Sequence, residues 1–207
     1  MRKVVSILAF VAVMAFVGCE KSTKNEVGGA PGPKVVPGPM SGPGGPPGAV
    51  IPDRSTISFV GTKAEGKHDG GFKSFTGSVK PASGDITTAT ISVEIDIDSM
   101  FTDQEKLTTH LKSPDFFDVK KYPKASFTST AIKAEKKDDN THVITGELTL
   151  HGTKKELSFP AKVTTADSLL TLESTFTIDR TEYGIAYAPD KVNKTVTIKV
   201  ALKAARQ

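Results

Sequence analysis

The chain has 207 residues, 37% of them apolar and 24% charged, with a net charge of +4. That length suits one or two globular domains. Five basic residues (Arg2, Lys3, Lys21, Lys24 and Lys34) precede residue 50 against only two acids, Glu20 and Glu26, whereas from Asp53 onward 22 basic residues face 21 acidic ones. The excess charge therefore lies outside the candidate folded part, which excludes a strongly basic nucleic-acid-binding domain.

The first element is an export signal. Arg2 and Lys3 form its positive end, Val4 to Val17 is apolar apart from Ser6, and Gly18 is a small residue before Cys19. The apolar run is short for a membrane span. Phe16-Val17-Gly18-Cys19 resembles the lipobox of bacterial lipoproteins, although most lipoboxes carry Leu where Phe16 stands. The resemblance implies a signal peptide over 1–18, lipidation of Cys19 and anchoring to a membrane through several acyl chains. Glu20 rather than Asp follows the cysteine, which by the same resemblance favours the periplasmic face of the outer membrane over the inner membrane. Cys19 is the only cysteine, so an intrachain disulfide and a cysteine-based metal site are both excluded.

Residues 28–50 contain eight Gly and seven Pro with no aromatic residue. Such a composition buries too little apolar surface to offset its ordering entropy, and residues 19–52 are expected to be a disordered tether. As a coil it would span roughly 30 Å.

From Asp53 to Gln207 the sequence alternates apolar and polar residues. Ile91, Val93, Ile95 and Ile97 do so first, followed by Leu157 to Val163, Leu170 to Ile178 and Val196 to Leu202. Period-two patterning of this kind predicts antiparallel strands with one buried face. Thr56 to Lys63, Phe72 to Lys80, Ala125 to Ala134 and His142 to Leu150 bring the expected number to eight. Turns are expected at Asp69-Gly70-Gly71, Ser83-Gly84-Asp85, Asp138-Asp139-Asn140 and Gly152. One short helix fits between the third and fourth strands, with Thr102 and Glu105 spaced as a capping box, Leu107 and Leu111 on one face, and Pro114 at its end. Eight meandering strands can close as a barrel or stack as a sandwich, and the apolar stripes fit either a solid core or a ligand cavity.

Four blocks narrow the choice: GGFKSF at Gly70 to Phe75, HLKSPDFFDVKKYPKASFTST at His110 to Thr130, TGELTLHGTKKELSFPA at Thr145 to Ala161 and FTIDRTEYGI at Phe176 to Ile185. Together, in this order, they resemble the YceI-like family. The resemblance implies an exported bacterial protein folded as an all-β, eight-stranded, antiparallel, lipocalin-like barrel around an apolar tunnel that holds a polyisoprenoid or another long-chain amphiphile. Many relatives carry a "VxH" segment in strand one, where this chain reads Val60-Gly61-Thr62-Lys63.

If a tunnel is present, its expected lining comes from the inward positions. These are Phe75 in the second strand, Val93, Ile95 and Ile97 in the third, Phe127 in the fourth, and Leu148 and Leu150 in the fifth. Leu157 and Phe159, Leu172 and Phe176, and Ile198 and Val200 follow in the last three strands. Leu107, Leu111, Phe116 and Phe117 would cap or gate one end.

Arg180 and Tyr183 form the best polar pair for an oxyanion headgroup, with a structural ion pair to Asp179 or Glu182 as the competing role. His110 and Lys106, one helical turn apart, could reach a headgroup at the mouth or simply face solvent. A turn role fits His151, beside Gly152. Histidines at 68, 110, 142 and 151 have no metal-ligand spacing, and Glu94, Asp96 and Asp98 lack the glycine of a calcium loop. The chain contains no GxSxG elbow, P-loop or GxGxxG. The expectation is a non-enzymatic protein without cofactor or metal, whose partners are a hydrophobic small molecule and a membrane. The alternative is a solid-core surface protein with structural or interaction duties.

Overall fold

The structure is a computed structural model and describes residues 46–81, 84–135, 140–166 and 168–206. The leader, Cys19, the tether up to residue 45, and the Ser83 and Asp138-Asp139 parts of two expected turns lie outside the described residues.

Among the described residues ten antiparallel strands form one sheet. They are β1 (Thr56–Lys63), β2 (Gly66–Phe72), β3 (Phe75–Lys80), β4 (Thr90–Asp96), β5 (Met100–Thr102), β6 (Lys124–Ala134), β7 (Thr141–Leu150), β8 (Thr153–Ala166), β9 (Leu169–Asp179) and β10 (Thr195–Ala205). The expected number was eight, and the two additional strands come from corners. β2 and β3 are one bent path, broken at Lys73 and Ser74, while β4 and β5 are another, broken by a 3-10 turn over Ile97–Ser99. β3 pairs with β4 on one side of the corner and β2 with β5 on the other.

Counted as paths there are eight, each paired to the next in chain order from β6 through β10. β10 returns to β1, and β1 pairs with β2, which completes an up-and-down barrel. Residues 48–51 meet the outer edge of β3, through the Ala49–Ser78 bridge, so that among the described residues no long edge is left open.

The folded domain begins before the expected Asp53. Gly48 N–H donates to Ala205 O at 2.7 Å and Val50 N–H to Gly77 O at 2.9 Å, so residues 48–51 sit between β10 and β3. Val50 is buried there, against Phe75 and Val79. Composition hid this because two backbone ladders, not side chains, hold the segment.

The expected turn at Asp69–Gly71 is also strand. The Phe59 ring of β1 lies across Gly70 so closely that a β-carbon there would come within 2.4 Å of it. These glycines mark close packing inside a strand, not a reversal. The turn expected at Gly152 is present: His151 (φ 50°) and Gly152 (φ 73°) form a two-residue reversal between β7 and β8, the left-handed pair that tight hairpins use.

The helix α1 is Glu105–Lys112 and is capped differently from expectation. Thr102 belongs to β5, its hydroxyl donates to Gln104 O at 2.7 Å, and Gln104 takes the N-cap position. Thr108 Oγ1 accepts from Thr102 N–H at 2.9 Å and so joins helix to strand. Lys112 pairs with Asp98 at 3.2 Å and fixes α1 against the β4–β5 corner.

Two apolar clusters fill the barrel unequally. One, around Val79, Ile91, Ile132, Ile144, Val163 and Leu202, closes the end where β10 finishes. The other, around Ile97, Met100, Phe116, Leu150, Tyr183 and Ile185, packs beneath α1 and the β9–β10 connection. A bulge at Ser129 in β6 shapes the closed end, where its buried hydroxyl accepts the Ile91 N–H at 2.8 Å and takes the place of a ladder bond.

Candidate functional site

Between the two clusters lies a cavity of about 460 Å³, within the ~300–1,000 Å³ range of small-molecule sites. Alternation along the strands builds it: every second residue must face inward, and a closed eight-path sheet is just wide enough to leave space at its axis. Val93 and Ile95 of β4, the adjoining Ile97, Phe127 of β6, and Leu148 and Leu150 of β7 face this space. So do Leu157 and Phe159 of β8, Leu172 and Phe176 of β9, and Ile198 and Val200 of β10. Leu107 and Leu111 of α1, with Phe116 and Phe117 just after it, line it at the helix end.

Phe75 is the exception. It is buried but belongs to the solid packing at the closed end, because β3 lies beyond the corner and its inward side meets Val50 and Val79. Ile57, Phe59 and Gly61 of β1, His68 and Phe72 of β2, and Val196 of β10 line the cavity without having been expected there. Ile57 and Phe59 were legible as alternate positions of β1, whereas His68 sat in a glycine-rich stretch with no apolar rhythm.

Aromatic rings give the interior its shape. Phe159 stacks on Phe176 with centroids 4.3 Å apart and an interplanar angle of 13°, and Phe127 tilts against Phe159 at 5.4 Å. Gly146 allows this, since a β-carbon there would stand 2.5 Å from the Phe127 ring. At the helix end His110, Phe116 and Tyr187 form a mutual trio with centroid distances of 4.7–5.1 Å.

Apart from Ser58 of β1, the polar lining gathers at that helix end. Thr62 and Lys63 come from β1, His68 from β2, His110 from α1, and Arg180, Tyr187 and Asn193 from the β9–β10 connection. The opposite end is bounded by Ile57, Ile91, Ile144 and Leu202. A ligand in this space would meet hydrocarbon along its length and polar groups at one end.

Arg180 does not fill the headgroup role expected of it. Its guanidinium donates to the carbonyls of Asn193 (3.1 Å), Ile185 (2.6 Å), Tyr187 (2.9 Å) and Val192 (2.8 Å). The side chain is 5% exposed and clamps the β9–β10 connection from within. Burial pulls its pKa down and the Asp179 charge opposes that shift. Tyr183 is likewise displaced from the expected site: the 3-10 turn at Arg180–Tyr183 turns it into the second cluster, and burial pushes its phenol pKa up. Lys106 is exposed and off the cavity. His110 alone of the expected headgroup set borders the cavity with a ring that is not consumed by backbone.

Asp179 caps the same turn. Its Oδ1 accepts from the Thr181 hydroxyl at 2.6 Å and the Thr181 N–H at 2.8 Å, and these bonds hold the carboxyl below the usual carboxylate range. A depressed carboxyl pKa stabilises the fold above the unfolded value and is lost as pH falls through the folded one. The wild-type melting temperature is therefore expected to fall more steeply than that of Asp179→Asn below about pH 4. Parallel melting curves of the two proteins in that range would refute this cap.

Among the described residues, no group of three or more His, Cys, Asp or Glu side chains is arranged to hold a metal ion. The fold and the cavity define a ligand-binding barrel of the lipocalin-like type. The profile of the YceI-like domain matches residues 49–204, and the chain belongs to the YceI-like family. A UPF0312 protein of Pseudomonas putida W619 is 31% identical over 144 residues, covering 67% of this chain and 73% of that protein. The crystal structure of Burkholderia cenocepacia BcnA superimposes with a TM-score of 0.68 at 27% identity, covering 75% of this chain and 99% of BcnA. A polyisoprenoid-binding domain from Saccharophagus degradans, implicated in plant cell wall breakdown, shares the fold with a TM-score of 0.65 at 14% identity, over 78% of this chain and 99% of that domain.

Proposed function

We propose that this protein is a non-enzymatic binder that carries or sequesters a long-chain amphiphile, with a polyisoprenoid as the favoured class. The observation that carries the reading is the distribution of the lining: an apolar cavity of about 460 Å³ whose polar groups, Ser58 apart, collect at one end. Each buried methylene contributes about 0.8 kcal/mol, so fifteen supply about 12 kcal/mol. After about 4 kcal/mol of association cost, the remainder corresponds to a micromolar dissociation constant. Selection would then depend chiefly on tail length and shape. The Saccharophagus domain of the same fold, a polyisoprenoid binder by name, supports the ligand class.

The setting we infer is the bacterial cell envelope. Residues 1–18 would direct export, Cys19 would carry the acyl chains, and the Gly/Pro-rich stretch up to about residue 47 would let the barrel reach a lipid surface, with the periplasmic face of the outer membrane as the expected site. Radiolabelled palmitate should label the wild-type protein in a bacterial host and spare Cys19→Ser.

The test of binding is native mass spectrometry of the purified protein, followed by titration with geranylgeraniol or a long-chain fatty acid. A co-purifying amphiphile, or one-to-one uptake of either probe, is the expected result. A barrel that arrives empty and takes up neither probe would overturn the carrier reading.

A further inference from the structure

At the polar end of the cavity one side chain is held ready and left with an open position. His68 Nδ1 lies 3.1 Å from Oδ1 and 3.3 Å from Oδ2 of Asp103. Asp103 is itself located by its N–H, which donates to Asp69 O at 3.0 Å on the strand that carries His68. A carboxylate can only accept, so in the neutral imidazole Nδ1 carries the hydrogen and Nε2 keeps its lone pair. These contacts to Asp103 are the hydrogen bonds the ring makes among the described residues.

The space beside the ring is open. Gly61 stands directly opposite His68 across the β1–β2 ladder, both line the cavity, and a β-carbon built at Gly61 would meet nothing within 4 Å. Three of the neighbouring polar groups are already engaged: Asn193 Nδ2 donates to Thr62 Oγ1 at 2.7 Å, and Arg180 is bound to carbonyls.

We propose that His68, oriented by Asp103, accepts a hydrogen bond from a hydroxyl at the polar end of the ligand, so that the barrel selects long-chain alcohols and phenols over their ethers. The inference rests on the carrier reading and adds a headgroup to it. The hydroxyl would occupy the gap over Gly61 while the tail runs toward the closed end. Asp103 touches no ligand and acts by fixing the tautomer.

Geranylgeraniol and its methyl ether share a tail and differ in the O–H. The wild-type protein is expected to bind the alcohol five- to tenfold more tightly. His68→Leu should bind both equally, and His68→Gln, whose amide oxygen can accept, should recover part of the preference. Asp103→Asn should reduce the alcohol preference without changing ether affinity. Nitrogen-15 NMR of the wild-type ring should show protonated Nδ1 and bare Nε2, a signature that Asp103→Asn should shift. Equal binding of both probes to the wild type, or an unchanged preference in His68→Leu, overturns the headgroup assignment and leaves the carrier reading intact. If neither probe binds, both fall.

Discussion

Replacing Ile198 by Trp is expected to weaken binding of a long-chain amphiphile about fiftyfold while the barrel stays folded. Ile198 lies near the middle of β10, opposite Phe59 of β1 and Phe176 of β9, and faces the cavity half-buried. An indole there would occupy the path of the tail and displace about three methylenes. At about 0.8 kcal/mol each the loss is about 2.4 kcal/mol, which is the stated factor. Insertions into a filled core cost about 1–3 kcal/mol in strain; here the ring enters space that is already empty, so the melting temperature should move by only a few degrees. Lys199, the next residue, faces outward and is exposed, and Lys199→Gln should leave affinity unchanged. Titration with geranylgeraniol measures both variants. Unchanged affinity in Ile198→Trp would show that the tail does not run along β10.

How much of this could be seen beforehand depends on what each residue responds to. Inward positions on β4, β8, β9 and β10 declared themselves because a pleated strand with one buried face must alternate, and that constraint is local. The eight paths were legible for the same reason. The corners were not, since Ile97 stays inward and buried although its backbone leaves the ladder for a 3-10 turn. β2 was misread because Gly70 and Gly71, ordinarily turn residues, are demanded there by the Phe59 ring and by Phe101, both distant in sequence. Val50 was hidden at the end of a Pro- and Gly-rich stretch, where only the bonds from its N–H to Gly77 O and from the Ile51 N–H to Lys203 O reveal order.

The polar site was legible least of all. Arg180 is the most conspicuous cation in its block, and a guanidinium is well suited to an oxyanion, yet its donors are satisfied by four carbonyls of a loop that the sequence does not show folding back. In the sequence His68 is only one of four histidines without metal-ligand spacing. It gains a partner only because the β4–β5 corner brings Asp103 beside β2, a juxtaposition produced by the barrel as a whole. The apolar half of a binding site follows from strand period, whereas its polar half depends on how loops close over the mouth.

Arg180→Leu should be the most destabilising single change in the domain's open end. The leucine retains the bulk of the side-chain stem but removes every donor, leaving the carbonyls of Ile185, Tyr187, Val192 and Asn193 without their shared partner. A hydrogen bond from a charged donor contributes about 1.5–3 kcal/mol, and part of the loss is recovered when the loop relaxes toward water, so a net cost of about 3–5 kcal/mol is expected. For a domain of this size that lowers the melting temperature by about 10 °C. Arg180→Lys should recover less than half of it, because one ammonium cannot span four carbonyls that a planar fork reaches at once. The consequence for function is kinetic. Ile185, Tyr187, Val192 and Asn193 all border the cavity, so loosening their loop should speed release of a bound amphiphile several-fold with a smaller effect on its entry. Thermal unfolding and stopped-flow release of a fluorescent fatty-acid probe measure the two effects separately. A leucine variant that melts within 2 °C of the wild type would show that water satisfies these carbonyls as well as Arg180 does.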